Sequence, residues 1–318
     1  MNSGSDRPRV TLVVVPRERF SLMERCVEQI YAHTAPPFEL IVIDTNSPRR
    51  VAQRMRRWEA THPSCRVIRT ERFLYPYEAK NLALPHLRTE WAVFVDSDVM
   101  VGPMWLKHLL AAADKTGARI VHPLYLVEQA GQLKIHMTDG RIKEIGRNGK
   151  KKIHLVMGHV AQDVSEAKGL KRQGSDFVEF HTFMIRRDLL QEMGPFEEAN
   201  LAEDVGYSLR LWEKKEKIVF EPKSVITYVA GPPFERYDLP YFRFRWNLRM
   251  ARESAEALGQ RFPLTEEYVK GKLSWAAYHH TRISPSFNLM RRLRRWADRM
   301  QISFVTAAKK CVPVIGKG

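Results

Sequence analysis

The chain has 318 residues, of which 44% are hydrophobic and 10% aromatic. This composition is enough to bury a sizeable core, and it excludes wholesale disorder and low-complexity architectures. Lys and Arg outnumber Asp and Glu by 52 to 36, which gives a formal net charge of +16 and favours an anionic partner.

Targeting and redox signals are weak. Uncharged apolar runs stay well short of the roughly 20 residues of a membrane-spanning helix, and the polar residues 1–9 lack the apolar stretch of a secretory signal. We therefore expect a cytoplasmic protein. The cysteines, Cys26, Cys65 and Cys311, fit neither a disulfide framework nor a CxxC metal pair, so we expect ordinary thiols.

The first hundred residues alternate between apolar strands and helices. Residues 10–15 form a β-branched run that Pro16 stops, as in a strand buried on both faces. Ser21 and Glu24 have the spacing of a capping box, which predicts a helix start. The next predicted elements are a strand at 38–43, a helix at 51–60, a strand at 65–68, a helix at 78–87 and a strand at 91–95. This alternation predicts an α/β fold with a doubly wound, mainly parallel sheet.

Acidic residues stand where two of these strands end. Asp44 closes the second strand, and Asp96, Ser97 and Asp98 follow the fourth. Doubly wound sheets bind their ligands beyond the carboxyl ends of the strands. The sequence therefore predicts a ligand site at this edge of the sheet.

The middle of the chain contains a Lys-rich stretch at 129–175. Asp139 and Gly140 have the sequence of a tight turn, and alternating residues at 133–137 and 142 predict an inserted hairpin around it. The other predicted elements are strands at 120–127 and 177–185, helices at 188–193 and 203–214, and short strands at 218–220 and 224–228.

The C-terminal quarter carries most of the charge, with 16 Lys and Arg residues against five Asp and Glu from residue 239 onward. Beyond residues 231–233 the chain also becomes rich in Arg and aromatic residues, so we divide it into an α/β domain at 1–232 and a basic helical extension at 233–318. The asymmetry leaves two hypotheses open: an enzyme with a basic tail, or a nucleic-acid-binding protein.

An amphipathic basic helix is predicted within the extension. Leu289, Leu293 and Trp296 share one helical face, and arginines surround it. Three roles are open for this helix: docking on an anionic membrane surface at the inner membrane face, forming a homodimer interface, or covering the core.

Asp96 and Asp98 are the strongest metal-binding candidates. Two residues apart at a strand end, their carboxylates can project the same way toward one ion. Carboxylates completed by phosphate oxygens are how Mg²⁺ or Mn²⁺ usually meets a nucleoside diphosphate. The alternative is a turn aspartate and a helix cap.

Other candidates also have structural alternatives. Glu203 and Asp204 open a helix, where acidic side chains serve as caps. Lys80 and Asn81 fit an exposed first helical turn, and His181 fits a core histidine without a ligand role.

An ordered set of motifs runs along the first 230 residues. Its members are the strand ending at Pro16, Asp44 within Ile-Val-Ile-Asp-Thr-Asn-Ser, the turn at 78–81, the Asp96 to Asp98 motif, the segments 183–187 and 194–197, and Glu203 and Asp204 with 209–211. Together they resemble the family 2 glycosyltransferases of the GT-A fold, over roughly residues 8–230. The specificity lies in the order of the set rather than in any one motif.

The resemblance implies an inverting, metal-dependent transfer of a single sugar from a nucleotide-diphospho-sugar, with a UDP-sugar favoured, to an acceptor hydroxyl. It implies that Asp44 contacts the nucleobase, Asp96 the ribose, and Asp98, with Asp96, a Mn²⁺ or Mg²⁺ ion. Asp204 would be the general base, with Glu203 beside it. The further residues of the donor site would be Pro16, Lys80, Asn81 and Ser97. The acceptor stays open between a saccharide, a lipid-linked molecule and a small molecule.

The chain also departs from the family pattern. Arg17, Glu18 and Arg19 stand where the family usually has Thr-Tyr-Asn, and Lys80 stands where Arg is common. After the last core strand, residues 226–229 offer none of the histidines that many members place near the metal, so a third protein ligand stays open. The Gln-x-x-Arg-Trp sequence of processive polymerases is also missing, which favours single addition.

The alternative hypothesis is a basic protein that binds nucleic acid or another anionic surface and carries a nucleotide-binding α/β domain. It explains the basic tail but not the acidic strand ends, and the sequence has neither zinc-finger spacing nor an RNP aromatic pair. A dehydrogenase is disfavoured because the turn at 15–20 lacks a glycine for the pyrophosphate. We therefore expect a donor and an acceptor as partners, and no nucleic acid.

Overall fold

The computed structural model describes residues 7–129, 131–146, 152–197, 200–231 and 233–281. The strands are β1 (Val10–Val15), β2 (Glu39–Thr45), β3 (Cys65–Thr70), β4 (Trp91–Asp96), β5 (Val99–Val101), β6 (Ile120–Gln129), β7 (Gln132–Met137), β8 (Gly140–Ile145), β9 (Lys152–Met157), β10 (Gln173–Ser175), β11 (Thr182–Arg186) and β12 (Ile218–Ala230). The helices are α1 (Met23–His33), α2 (Arg49–Thr61), α3 (Pro76–Ala83), α4 (Trp105–Thr116), α5 (Arg187–Met193), α6 (Glu203–Glu213), α7 (Leu239–Arg245), α8 (Leu248–Arg261) and α9 (Glu266–Thr281).

One large sheet organises the fold, in the order β10-β12-β6-β11-β4-β1-β2-β3. β1 lies between β2 and β4 and runs parallel to both, and β3 continues the parallel part beside β2. β12 runs parallel to β6, while β11 is antiparallel to both β4 and β6 and joins the two parallel parts. The predicted α/β fold with a mainly parallel sheet and C-terminal helices is confirmed.

Both faces of the sheet are covered. Leu12 and Val14 of β1 belong to one core, whereas Val13 and Val15 belong to the other. All six residues of β1 are buried, because helices pack on each side of a doubly wound sheet. This burial leaves the carboxyl ends of the strands as the edge at which polar side chains gather.

The hairpin predicted around Asp139 and Gly140 is wrong. β7 pairs antiparallel with β6, and β8 pairs with β9 in a separate two-stranded sheet. The turn therefore carries the chain from one sheet to the other. β7 joins the large sheet because its buried side chains, Ile135 and Met137, extend the core there. Gly140 is needed at the crossing, since a Cβ atom there would lie 2.4 Å from Phe177 Cβ.

The short strands predicted at 218–220 and 224–228 are in fact one strand, β12. Its pairing with β6 shifts register between Glu221 and Val225. A bulge of this kind lets a strand continue past residues that break the local pattern, which here are Pro222 and Lys223.

The capping box predicted at Ser21 and Glu24 is also wrong. α1 begins at Met23 without a side-chain cap hydrogen bond. Instead, Asp238 Oδ1 accepts hydrogen bonds from the backbone N–H groups of Phe20, at 2.8 Å, and Ser21, at 3.0 Å. A carboxylate from the C-terminal part of the chain thus replaces the local cap.

The C-terminal helices are anchored by Trp246, which is fully buried. Its Nε1 donates to Glu18 Oε2 at 3.2 Å, and its ring stacks on His279 with centroids 4.0 Å apart. Tyr241 in α7 also donates to the carbonyl oxygen of Pro16 at 3.1 Å. These contacts attach the C-terminal helices to the loop that follows β1.

Trp246→Ala is expected to lower the free energy of unfolding by about 3–5 kcal/mol, the range for deleting a buried large aromatic side chain. Urea unfolding of both proteins measures this difference. Trp275→Ala is the matched control, since Trp275 is 38% exposed and should cost clearly less. An equal loss in the two variants would contradict the anchoring role.

Among the described helices, none combines the length and the apolar character needed to cross a membrane. The amphipathic helix predicted at Leu289, Leu293 and Trp296, with its membrane and dimer hypotheses, lies outside the described residues, as does Cys311.

Candidate functional site

A cavity of about 360 Å³ opens at the carboxyl ends of β1 and β4. Residues of α3, α6, α7, α9, β7 and β9 also line it, together with the segment before β11. The carboxylates in the lining are Asp96, Glu179, Glu203 and Asp204. The positively charged side chains are Arg17, Lys80, Arg245 and Lys272. The cavity therefore lies where the acidic strand ends predict a ligand site.

Asp96, Asp98 and His181 form a buried cluster beside this cavity. One ligand atom from each lies within 4.8 Å of the others. His181 Nδ1 is 3.1 Å from Asp96 Oδ2, and the backbone N–H of Asp96 donates to the carbonyl oxygen of His181 at 2.9 Å. β11 brings His181 to this place because it pairs with β4 in the sheet. His181, expected as a core histidine, thus offers a third potential ligand atom beside the two aspartates.

Arg17 forms ion pairs with this cluster. Its Nη1 donates to Asp98 Oδ2 at 3.1 Å, and its Nε lies 3.6 Å from Asp96 Oδ2. The guanidinium also lies 5.3 Å from the centre of the Tyr228 ring. Burial by itself would lower the pKa of Arg17, but Asp98 and its acidic neighbours raise it above its ordinary value. Arg17 is therefore a permanent cation at the two aspartates.

The cluster fits a divalent cation by its donor chemistry. Asp96 Oδ1 and Asp98 Oδ1 are buried, and neither accepts a hydrogen bond from any described residue. Burial raises the pKa of Asp98, and Arg17 opposes that rise. Carboxylate oxygens with one imidazole nitrogen suit Mn²⁺ or Mg²⁺, so these three residues would hold the ion.

Lys80 approaches the same cluster from α3. Its side chain is almost completely buried, and its Nζ lies 3.6 Å from Asp96 Oδ1 and 5.3 Å from the centre of the Phe180 ring. The predicted exposed first turn is thus excluded for Lys80. Its position places a second positive charge beside Asp96.

Asp204 presents a different carboxylate to the cavity, from the start of α6. Its Oδ1 accepts the backbone N–H of Val205 at 2.9 Å and lies 3.9 Å from Lys272 Nζ of α9. Burial raises the pKa of Asp204 to about 6, with Lys272 opposing the rise and Glu179 adding to it. Such a carboxylate is ionised at neutral pH and still takes up a proton readily, as general bases do.

Glu203 is held by a buried ion pair. Its Oε1 accepts from Arg245 Nη2 of α7 at 3.0 Å. Arg245 is in turn hydrogen-bonded to Asn200. Because its charge is already paired, Glu203 is a weaker candidate for the base than Asp204.

Glu179 and His136 form a further pair in the cavity wall, with His136 Nε2 3.8 Å from Glu179 Oε2. Although burial favours a raised value, His136 and His181 lower the pKa of Glu179 below its usual range. The ring of His136 also lies edge-on to that of His181, with centroids 5.3 Å apart.

Sequence reasoning did not single out four charged or titratable residues of the cavity lining: His136, Glu179, Arg245 and Lys272. Arg17 was visible only as a departure from the family pattern, and His181 only as a core histidine. The four belong to segments without a recognisable motif, and the sheet and the C-terminal helices bring them together.

Several predicted donor-site residues lie outside the described cavity lining. Asp44 Oδ1 accepts the backbone N–H of Ser47 at 2.7 Å, and its Oδ2 pairs with Arg69. The amide of Asn81 is hydrogen-bonded to the backbone of Phe196, as donor at 2.9 Å and as acceptor at 2.7 Å.

Ser97 and Pro16 are held close to the cavity without lining it. Ser97 Oγ donates to the carbonyl oxygen of Arg19 at 3.1 Å, and the carbonyl oxygen of Pro16 accepts from Tyr241. Lys80, Asp96, Glu203 and Asp204 do line the cavity. The roles predicted for all of these residues stay predictions.

The family model described as "Glycosyl transferase family 2" matches residues 11–194. The chain belongs to this family. It is also 28% identical over 145 residues to the uncharacterized protein y4gI of Sinorhizobium fredii. That match covers 44% of this chain and only 14% of the relative.

Solved structures of glycosyltransferases share the fold. GalNAc-T7, crystallised with UDP, GalNAc and Mn²⁺, gives a TM-score of 0.55 at 15% identity, over 91% of this chain and 58% of that one. TarS residues 1–349 of S. aureus, with UDP-GlcNAc, give 0.52 at 16% identity over 87% and 74%. The mannosyltransferase PcManGT of Pyrobaculum calidifontis, with GDP-Man and Mn²⁺, gives 0.52 at 18% identity over 93% and 83%. These likenesses show a GT-A fold.

Proposed function

We propose that this protein transfers one sugar from a nucleotide-diphospho-sugar to an acceptor hydroxyl, with inversion and with a divalent cation. One observation carries the proposal: a single cavity brings Asp204, a buried carboxylate whose pKa is raised to about 6, together with Asp96 of the Asp96–Asp98–His181 cluster. Family membership and the nucleotide-sugar complexes of the structural neighbours support it. A UDP-sugar is the proposed donor.

Asp204 is the proposed general base. Its carboxylate takes the proton from the acceptor hydroxyl as that oxygen attacks the anomeric carbon from the face opposite the leaving group. Lys272 keeps Asp204 ionised before the attack. Glu203 and Arg245 form the neighbouring wall as an ion pair without net charge.

Asp96, Asp98 and His181 are the proposed cation ligands. The bound Mn²⁺ or Mg²⁺ would neutralise the charge that develops on the diphosphate leaving group. Lys80, whose Nζ lies 3.6 Å from Asp96 Oδ1, is proposed to hold a phosphate oxygen. Asp44, at the end of β2, is proposed to contact the nucleobase.

A donor screen tests the proposal. The protein is incubated with UDP- and GDP-sugars in Mn²⁺, in Mg²⁺ and in EDTA, and release of the nucleoside diphosphate is measured. We expect hydrolysis or transfer with one donor class and only with the metal. NMR of the product should show inversion at the anomeric carbon, and retention would contradict a single displacement assisted by Asp204.

The pH dependence offers a separate prediction. Because Asp204 must be ionised to act as a base, kcat/KM is expected to rise with pH through about 6 and to fall roughly tenfold per unit well below it. Lys272→Met should move this limb to higher pH, since burial and Glu179 then act unopposed.

Lys270→Met is the matched control for this pH profile. Lys270 lies on the same helix as Lys272 but is exposed and pairs with Glu266, so its profile should match that of the wild type. An unshifted limb in Lys272→Met would contradict the pairing of Lys272 with the base.

A further inference from the structure

Arg17 forms ion pairs with the two aspartates proposed as cation ligands, and the proposed sugar transfer does not explain these ion pairs. Arg17 pairs with Asp98 Oδ2 at 3.1 Å and lies 3.6 Å from Asp96 Oδ2. Arg17 and Asp98 are both at most 6% exposed. The guanidinium therefore already contacts both carboxylates, as a bound cation would.

Three carboxylates in and beside the cluster already have basic partners. The carboxylates are those of Asp96, Asp98 and Glu18, and their partners are Arg17, Arg19 and Lys80. The contacts that pair them are Arg17 with Asp98 at 3.1 Å, Arg19 with Glu18 at 2.7 Å and Lys80 with Asp96 at 3.6 Å. A divalent cation added to this arrangement would bring two uncompensated charges into a buried site, which is unfavourable.

A nucleoside diphosphate changes this balance. Its phosphate oxygens bring the negative charge that a divalent cation needs, and a guanidinium binds phosphate oxygens as well as it binds carboxylates. Arg17 lines the cavity as well as the cluster, so it can contact either partner.

We infer that Arg17 is a built-in counter-ion of Asp98, so that a divalent cation binds here only together with a nucleoside diphosphate, which draws the guanidinium away. The inference rests on the proposed function because it concerns the same site. It adds that the metal and the nucleotide each raise the affinity of the other, and that Arg17 determines the size of this effect. Arg17 belongs to the Arg17-Glu18-Arg19 segment that replaces the family's usual residues, so this departure in the sequence supplies the counter-ion.

Electron paramagnetic resonance of free Mn²⁺, titrated with the full-length protein, tests this directly. In the wild type, Mn²⁺ should bind weakly alone and roughly 100-fold or more tightly when UDP or GDP is present, the same factor by which Mn²⁺ raises nucleotide affinity. Arg17→Gln should bind Mn²⁺ at least about tenfold more tightly than the wild type without nucleotide, and gain less from the nucleotide. Equal or weaker Mn²⁺ binding by Arg17→Gln would overturn the inference.

Two variants assign the effect to this cluster. The double variant Arg17→Gln/Asp98→Asn should lose the gain, and keeping it would place the metal elsewhere and overturn the inference. Arg172→Gln is the matched control, because Arg172 also pairs with a buried carboxylate, that of Glu221, but lies away from the cluster. It should bind Mn²⁺ like the wild type.

Removing Arg17 leaves buried carboxylates unpaired, so stability is measured as well. Mn²⁺ should raise the melting temperature of Arg17→Gln clearly more than that of the wild type. A variant that folds only when Mn²⁺ is present would also support the inference. Arg17→Lys, which keeps the charge but not the fork of donors, should lie between the two in Mn²⁺ affinity. If Mn²⁺ stabilises neither Arg17→Gln nor Arg17→Lys more than the wild type, the inference is overturned.

Failure of the proposed function gives a different pattern. A protein that accepts no nucleotide-sugar in the donor screen, yet shows the Mn²⁺ gain in Arg17→Gln, would contradict the transfer and leave the counter-ion role intact. Active transfer by the wild type, with no gain in Mn²⁺ affinity in Arg17→Gln, would support the transfer and contradict the counter-ion role.

Discussion

Asp204→Asn is expected to lower the turnover of sugar transfer by about 10²- to 10⁴-fold, the usual contribution of a positioned general base. Asparagine is nearly isosteric with aspartate and keeps an oxygen that can accept the backbone N–H of Val205, as Asp204 Oδ1 does at 2.9 Å. The start of α6 should therefore stay intact. What the substitution removes is the site that accepts the proton.

Single-turnover and steady-state kinetics measure this effect, with donor and Mn²⁺ affinity determined in parallel. Both affinities should change little, because Asp204 does not belong to the Asp96–Asp98–His181 cluster. Asp188→Asn is the matched control, since Asp188 also lies in the first turn of a helix and accepts a backbone N–H, that of Leu189, at 2.7 Å. It should leave turnover unchanged.

Near-normal turnover in Asp204→Asn would leave Asp204 as a helix cap. The base would then have to be sought at Glu203, the other carboxylate at the start of α6. The ion pair of Glu203 with Arg245 makes that outcome unexpected.

Asp98→Asn is expected to abolish the metal dependence of nucleoside diphosphate binding. Asp98 Oδ1 is buried without a hydrogen-bond donor among the described residues, so a cation that enters with the nucleotide would satisfy it. Because a metal ion contributes several kcal/mol of charge stabilisation at a phosphate, the gain in UDP or GDP affinity on adding Mn²⁺ should shrink by roughly 100-fold or more.

Isothermal titration calorimetry with and without Mn²⁺ measures this gain, and a thermal melt checks that the variant is folded. Asparagine can still accept the hydrogen bond from Arg17, so the fold should survive the change. Asp114→Asn is a suitable control, as Asp114 pairs with Arg9 on the exposed surface. A Mn²⁺ gain in Asp98→Asn as large as in the wild type would refute the metal assignment.

The two variants separate two halves of the site. Asp98→Asn should weaken binding of the metal and nucleotide, whereas Asp204→Asn should spare binding and slow the chemical step. A loss of nucleotide binding in both variants would instead indicate a general collapse of the cavity.

The sequence by itself determined the sheet and the acidic edge. The β-branched run at 10–15 is buried on both faces, and periodicity located this strand because it depends on neighbouring residues only. The aspartates at the strand ends followed from the rule that ligands bind beyond the carboxyl ends of parallel strands. The order of motifs then identified the family.

Local patterns went wrong where a distant segment competes with them. The Ser21–Glu24 pattern predicted a cap that Asp238 supplies instead, 217 residues away from Ser21. The turn at Asp139 and Gly140 predicted a hairpin, but pairing with β6 and β9 decided the partners of the two strands. In both cases tertiary contacts outweigh a weak local preference.

Only the tertiary structure decided which charged side chains of the site pair with each other. Arg17 and Asp98 are 81 residues apart, and His181 and Asp96 are 85 apart, and the strand order of the sheet makes each pair neighbours. Lys272 reaches Asp204 because α9 packs back over the cavity. Hydrophobic periodicity reports which face of an element is buried, but an ion pair depends on where two elements meet. The sequence therefore locates the acidic side chains at the strand ends, while the fold sets the counter-ions beside them.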